Sequence, residues 1–169
     1  MEELGRKSVE DFKLADKKPL VVVMDNIRSM HNVGSVFRTA DAFLISGICL
    51  CGFTPQPPHR DIHKTALGAT DSVDWLYYEN TVDAVLALKA RGYKVLAIEQ
   101  TEGSIMLDEY VDKQMPTAFV FGNEVDGVSD EVIQVCDGVI EIPQWGMKHS
   151  LNISVAAAVV LWEFVRQVK

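Results

Sequence analysis

The chain has 169 residues, 48% apolar and 24% charged, the size of one ordinary domain with a sizeable core and no compositional sign of disorder. Its net charge of −8 excludes a uniformly basic nucleic-acid binder, yet residues 79–142 hold 13 acidic and 4 basic side chains, which leaves the rest nearly neutral. Neither a secretory leader nor a membrane-length apolar run occurs, and His59 and His63 lack a Cys or Glu to complete a ligand set, so a cytoplasmic protein with no membrane contact and no metal is expected.

In chain order, Leu4, Val9 and Phe12 repeat loosely at helical spacing, and a first helix over 2–16 is predicted to end before Lys17-Lys18-Pro19. LVVVMD, 20–25, is a continuous apolar run, the pattern of a strand buried on both faces of a parallel sheet, which needs helices on both sides. The polar stretch DNIRSMHN then leads into a helix over 33–45, with Asn32 and Arg38 six apart across its start. Arg38 sits in the otherwise apolar or small VFRTA, where a buried or cleft-lining guanidinium needs a salt-bridge partner or an anionic ligand. Neither a dinucleotide glycine fingerprint nor a phosphate-binding loop is present, so the site is sought in the loops at the carboxyl ends of the strands.

A strand over 47–52 places Cys49 and Cys51 on one face, read with Cys136 as buried free thiols. A Pro-rich loop over 54–63, a strand 73–78, a helix 80–90, a strand 93–99 and a short helix 105–111 follow. The strand 117–121 ends in Gly122, Asn123 and Glu124, a place where a ligand could approach the backbone closely, although a plain turn with Ser129 as helix cap explains half of it. A helix 128–136 and a strand 138–142 lead to Ser150, Asn152 and Ser154, three small polar side chains at a helix start, more than capping requires. The last helix, 150–167, is apolar all round, which calls for burial at the centre of the chain or, more simply, for a second subunit against one face. The alternation of strands and helices is α/β. Arg28, His31, Arg38, Arg60, His63, Lys64, Lys148 and His149 are available for a modest basic face, or are ordinary solvated charges.

Three motifs occur in order: N-x5-R at 32–38, F-G-N-E-x-x-G at 121–127 and I-P-x-x-G-x-x-x-S-L-N-x-S-V-A at 142–156. Together they resemble the three motifs of the SpoU (TrmH-like) branch of the SPOUT superfamily, and K-T-A-L-G-A at 64–69 adds to the likeness, which extends from about residue 20 to 165. The resemblance implies a Rossmann-like parallel sheet whose C-terminal part, about 117–169, is threaded into a deep trefoil knot within a single domain over 1–169. It implies S-adenosylmethionine as cofactor, transfer of its methyl group to a ribose 2′-hydroxyl of tRNA or rRNA, and a homodimer in which two subunits share each site. Carried over by position, Arg38 resembles the catalytic arginine and Asn32 its positioning partner, with Glu124, Ser150 and Asn152 as the remaining polar set. The cofactor loops would include Glu99, Gln100, Gly122, Ile142 and Leu151, and the segment 54–67 would face RNA. A guanidinium rarely gives up a proton, so Arg38 acts either as the base the family proposal makes it or as a charged stabiliser of the developing alkoxide. A catalytically silent module that binds cofactor or RNA is the alternative.

Overall fold

A computed structural model of the chain describes residues 5, 7–111, 116–148 and 150–167. Its centre is a seven-stranded sheet in which every pairing is parallel, in the order β3-β2-β1-β6-β4-β7-β5. The strands are β1 (Lys18–Asp25), β2 (Ile45–Cys51), β3 (Trp75–Tyr78), β4 (Lys94–Ile98), β5 (Ile105–Met106), β6 (Thr117–Phe121) and β7 (Gly138–Glu141). The helices are α1 (Val9–Leu14), α2 (Met30–Ala42), α3 (Arg60–Ala66), α4 (Ala69–Ser72), α5 (Thr81–Ala90), α6 (Asp130–Val135) and α7 (Ile153–Val165).

The uninterrupted apolar run of β1 has the consequence expected of it. Leu20, Val22 and Met24 point to a core shared with α2, α3, α4 and α7, while Val21 and Val23 point to a second core under α5 and α6. β6 divides in the same way, with Phe119 and Phe121 on the first face and Ala118 and Val120 on the second. Cys49 and Cys51 share that second face. Burial pushes their thiols up to about 11 and about 12, and raises half-buried Cys136 to about 11, so all three stay protonated at neutral pH and behave as small apolar side chains.

Four expectations change. Within the predicted first helix, 2–16, only Val9–Leu14 is helical among the described residues, because Ser8 and Asp11 form a reciprocal capping box that fixes the start at Val9; residues 1–4 and 6 lie outside the described set. α2 begins at Met30, three residues earlier than predicted, where the Ser29 hydroxyl accepts the Asn32 amide at 3.2 Å. The Pro-rich segment gives way to α3 at Arg60. Residues 105–111 do not form a helix. Ile105 and Met106 add a short strand to the edge of β7, and Leu107 donates its amide to Glu141 at 2.8 Å. Leu107 and Tyr110 both turn into the core, three apart, and that spacing imitates a helical stripe.

α7 is two-faced. Ile153, Ala157, Val160, Leu161 and Phe164 are buried, a fully buried side chain of this kind contributing roughly 1.5–3 kcal/mol. Val155, Val159 and Trp162, on the outer face, remain 49%, 38% and 55% exposed. Among the described residues, no helix is long and apolar enough to cross a membrane.

Candidate active site

Parallel strands deliver their following loops to one end of the sheet, and the loops after β1, β4, β6 and β7 meet there. Those after β4, β6 and β7 line a pocket of about 420 Å³, and Asn32 of α2 joins its mouth through hydrogen bonds. Its apolar walls come from Ile98, Phe121, Ile142, Leu151, Ile153 and Ala156, and its polar groups from Glu99, Gln100, Asn123, Glu124, Gln144, Ser150 and Asn152.

The loop after β6 is shaped by two glycines. A Cβ on Gly122 would lie 2.1 Å from the carbonyl carbon of Gly127 and from the amide nitrogen of Val128, so only glycine allows the two sides of the loop to touch. Gly127 has φ +71°, in the left-handed region, and exchanges two backbone hydrogen bonds with Asn123 at 2.9 and 3.1 Å. Buried Asn123 accepts the amides of Val125 and Asp126 and donates to the Asn26 carbonyl at 2.8 Å, tying this loop to the end of β1. The Glu99 carboxylate accepts the amides of Val128 at 3.0 Å and Gln100 at 2.9 Å, bracing the loop from the β4 side. Below them, buried Asp25 accepts Thr81 Oγ1 at 2.6 Å and Asn26 Nδ2 at 3.1 Å.

Across the pocket mouth runs a chain of side-chain hydrogen bonds. Asn32 Nδ2 donates to Glu124 Oε1 at 3.2 Å, and Asn152 Nδ2 donates to Asn32 Oδ1 at 3.1 Å. The side-chain oxygen of Asn152 caps α7, accepting Ser154 N at 2.9 Å and Ser154 Oγ at 2.6 Å. Capping and site construction, alternatives on the sequence alone, are thus both served by this one amide. Ser129 occupies the N-cap position of α6 without a side-chain cap bond.

Of the ten site residues named from sequence, Glu99, Gln100, Gly122, Glu124, Ile142, Ser150, Leu151 and Asn152 line the pocket, and Asn32 is bonded to two of them. Arg38 stands apart. It is exposed and, among the described residues, its side chain makes no hydrogen bond or ion pair, so the expectation of a buried or cleft-lining guanidinium does not hold within one chain. Val33, Val36, Phe37 and Ala40 fill the inward stripe of α2, and six residues of helix carry position 38 about 9 Å along the axis and roughly 120° round from Asn32. Of the expected basic face, Arg28, His31, Arg60, His63, Lys64 and Lys148 are exposed, and His149 lies outside the described residues. Lys64 pairs with Asp61 at 2.8 Å. Sequence reasoning did not single out Ile98, Gln144 or the structural part played by Asn123, although Asn123 stands inside the F-G-N-E motif.

The pocket fits S-adenosylmethionine on its own chemistry. Two carboxylates line it and, among the described lining residues, none is Lys, Arg or His, which suits a cationic sulfonium and not a phosphate-bearing cofactor. Its volume lies within the ordinary range for small-molecule sites, and its apolar walls are suited to a flat base. No group of three or more His, Cys, Asp or Glu among the described residues could hold a metal ion.

The sequence model of the SpoU rRNA Methylase family matches residues 19–162. The tRNA (guanosine(18)-2′-O)-methyltransferase of Aquifex aeolicus is 36% identical over 155 residues, covering 89% of this chain and 71% of its own. The enzyme of the same name from Thermus thermophilus is 36% identical over 168 residues, 98% of this chain and 84% of its own. Among solved structures, the A. aeolicus TrmH/SpoU tRNA modifying enzyme superposes with a TM-score of 0.83 at 31% identity, over 94% of this chain and 80% of that one. The SpoU methyltransferase AviRb from Streptomyces viridochromogenes, solved in complex with AdoMet, gives 0.80 at 28% identity, over 93% and 63%. With a matching motif set, a matching sheet and relatives aligned over nearly its whole length, the chain belongs to the SpoU rRNA Methylase family.

Proposed function

We propose that this protein is an S-adenosylmethionine-dependent methyltransferase acting on a ribose 2′-hydroxyl of tRNA or rRNA. The observation that carries the reading is the pocket with two carboxylates and, among its described lining residues, no cation, closed at its mouth by Glu124, Asn32 and Asn152. The printed activities of the A. aeolicus and T. thermophilus relatives supply the reaction class. When bound, the cofactor supplies a methyl group made electrophilic by its sulfonium charge. The Glu99-braced loop and Gly122 offer backbone groups to hold it, and Ser150 and the Asn32–Asn152 pair are placed to orient an incoming hydroxyl.

Arg38 takes its place in this scheme only across a subunit boundary. The outer face of α7 leaves Val155, Val159 and Trp162 in water, and α2, which bears exposed Arg38, packs beside α7. A homodimer through α7 covers those side chains and brings Arg38 of one subunit to the pocket of the other, where it removes the hydroxyl proton or stabilises the alkoxide.

The C-terminal part, 117–169, forms a trefoil knot in this reading, the whole chain folding as one domain. Support comes from β7, which lies between β4 and β5, the start and the outer turn of the single connection that leads from β4 to β6. The chain leaving β7 thus departs from inside that connection. Of the cofactor loops, those bearing Gly122, Ile142 and Leu151 belong to this part, and the loop bearing Glu99 and Gln100 precedes it.

Transfer of labelled methyl from S-adenosylmethionine to total RNA from a strain lacking the gene tests the proposal, with Arg38→Ala as control. One labelled 2′-O-methyl nucleotide, absent with the control, is expected. Cofactor binding without transfer to any RNA would refute it in favour of a binding module.

A further inference from the structure

Beside the pocket, at the same end of the sheet, the turn after β2 presents an aromatic ring to solvent. Phe53 is 57% exposed, and the Arg28 guanidinium carbon lies 5.6 Å from the centre of its ring. An exposed phenylalanine alone means little. The frame that holds this one is built from many parts. Gly52 and Asn26 both adopt left-handed backbone, with φ of +61° and +54°, and a Cβ on Gly52 would lie 2.0 Å from Asn26 Oδ1. That same oxygen accepts the Phe53 amide at 3.1 Å. The Gly52 amide donates to the Tyr78 carbonyl and the Tyr77 hydroxyl donates to the Gly52 carbonyl, each at 3.0 Å. On the far side, buried Thr54 donates its hydroxyl to the Met24 carbonyl and accepts the Ile27 amide, each at 3.0 Å.

This frame is coupled to the pocket. The Asn26 carbonyl accepts Asn123 Nδ2 at 2.8 Å, and the Arg28 amide lies 3.4 Å from Glu124 Oε2, the carboxylate that also holds Asn32. Left-handed backbone at a non-glycine residue persists only where its surroundings over-determine it, and here what it fixes is an apolar ring in water next to a cation. A flat ring beside a guanidinium matches a nucleobase beside its phosphate, through stacking and charge that tolerate any base.

We propose that Phe53 and Arg28 form a subsite of the RNA-binding surface, in which a nucleobase of the substrate stacks on the Phe53 ring and Arg28 meets an adjacent phosphate. The subsite rests on the RNA reading of the pocket. It fixes the nucleotide against the Glu124–Asn32–Asn152 chain, so that the ribose arrives in register with the methyl donor.

Two measurements test it, both with total RNA from a strain lacking the gene. In the first, Phe53→Ala is expected to lower kcat/KM for RNA by roughly tenfold or more, with cofactor affinity and thermal unfolding unchanged, while Phe53→Tyr and Phe53→Trp keep most of the wild-type value. In the second, the indole emission of Phe53→Trp, taken as the difference from wild type, is expected to change on RNA addition and to recover at high salt. Wild-type kcat/KM in Phe53→Ala, or an indole signal that ignores RNA, overturns the subsite even if the enzyme methylates RNA. Absence of transfer by the wild-type protein overturns the activity instead, and the indole titration still decides whether RNA stacks there.

Discussion

Asn152 holds two structures together with one amide. Its oxygen caps α7 and its nitrogen reaches Asn32, so the helix start and the pocket mouth are fixed by the same rotamer. Asn152→Asp separates the two duties, because a carboxylate still caps the helix but cannot donate to Asn32. This variant is expected to unfold within about 0.5 kcal/mol of wild type, since Asp and Asn cap nearly equally well. Methyl transfer should nonetheless fall by at least an order of magnitude, as expected when an orienting hydrogen bond is lost. Chemical denaturation and labelled-methyl assays on one preparation measure both. Comparable losses in the two would show that Asn152 matters only as a cap. At this scale the sequence was legible in residue identity more than in placement. Glu124, Ser150 and Asn152 stand in recognisable motifs, whereas the outward direction of Arg38 depends on which residues of α2 the sheet claims, and four better-placed apolar side chains claim it.

Among the elements, α2 and α3 pack with their backbones in close approach. Gly34, in the middle of α2, has no room for a side chain, since a Cβ there would lie 2.2 Å from the Ile62 carbonyl oxygen and 3.0 Å from the Ala66 amide nitrogen. The backbones of the two helices therefore touch, and Thr65 reinforces the contact by donating its hydroxyl to the His31 carbonyl at 3.0 Å. Gly34→Ala, which would stabilise an isolated helix, is expected to destabilise this protein by about 1–3 kcal/mol through overpacking. Thermal or urea unfolding gives the sign directly, and a stabilised variant would mean that α3 moves aside freely. The glycine carried no such message in the sequence, because the spacing that makes it indispensable is set by a partner 28 residues later. β5 was illegible for a related reason. Two residues become a strand only because β7 offers them an open edge, and no local pattern in 105–111 records that offer. β1 and β6 were readable because an apolar run buried on both sheet faces states its own environment.

For the whole molecule, the outer face of α7 is the surface on which the proposed homodimer rests. Val155, Val159 and Trp162 lie three and four residues apart, a stripe that a partner's equivalent stripe could cover about a twofold axis. Val159→Asp is expected to convert a dimer into a monomer, read as a halved mass in analytical ultracentrifugation, and to abolish methyl transfer while the cofactor still binds. A wild-type protein that sediments as one chain, or a monomeric variant with full activity, would refute the shared site. The sequence showed that α7 was apolar all round but not how its circumference divides, since that depends on how far the helix sinks between α2 and the sheet. Similarly, the strand order follows from which strand crosses over which, a choice that periodicity does not encode.

The hydrogen bonds that join the site loops pair residues 92, 96, 97 and 120 positions apart. During synthesis from the N-terminus, a nascent chain therefore holds β1, β2 and their helices long before it holds anything to bind. The mouth closes only when residue 152, seventeen from the end of this sequence, has left the ribosome. Every truncated product ending before that point lacks the Asn32–Asn152 link, so an abandoned translation yields a pocket whose mouth is incomplete.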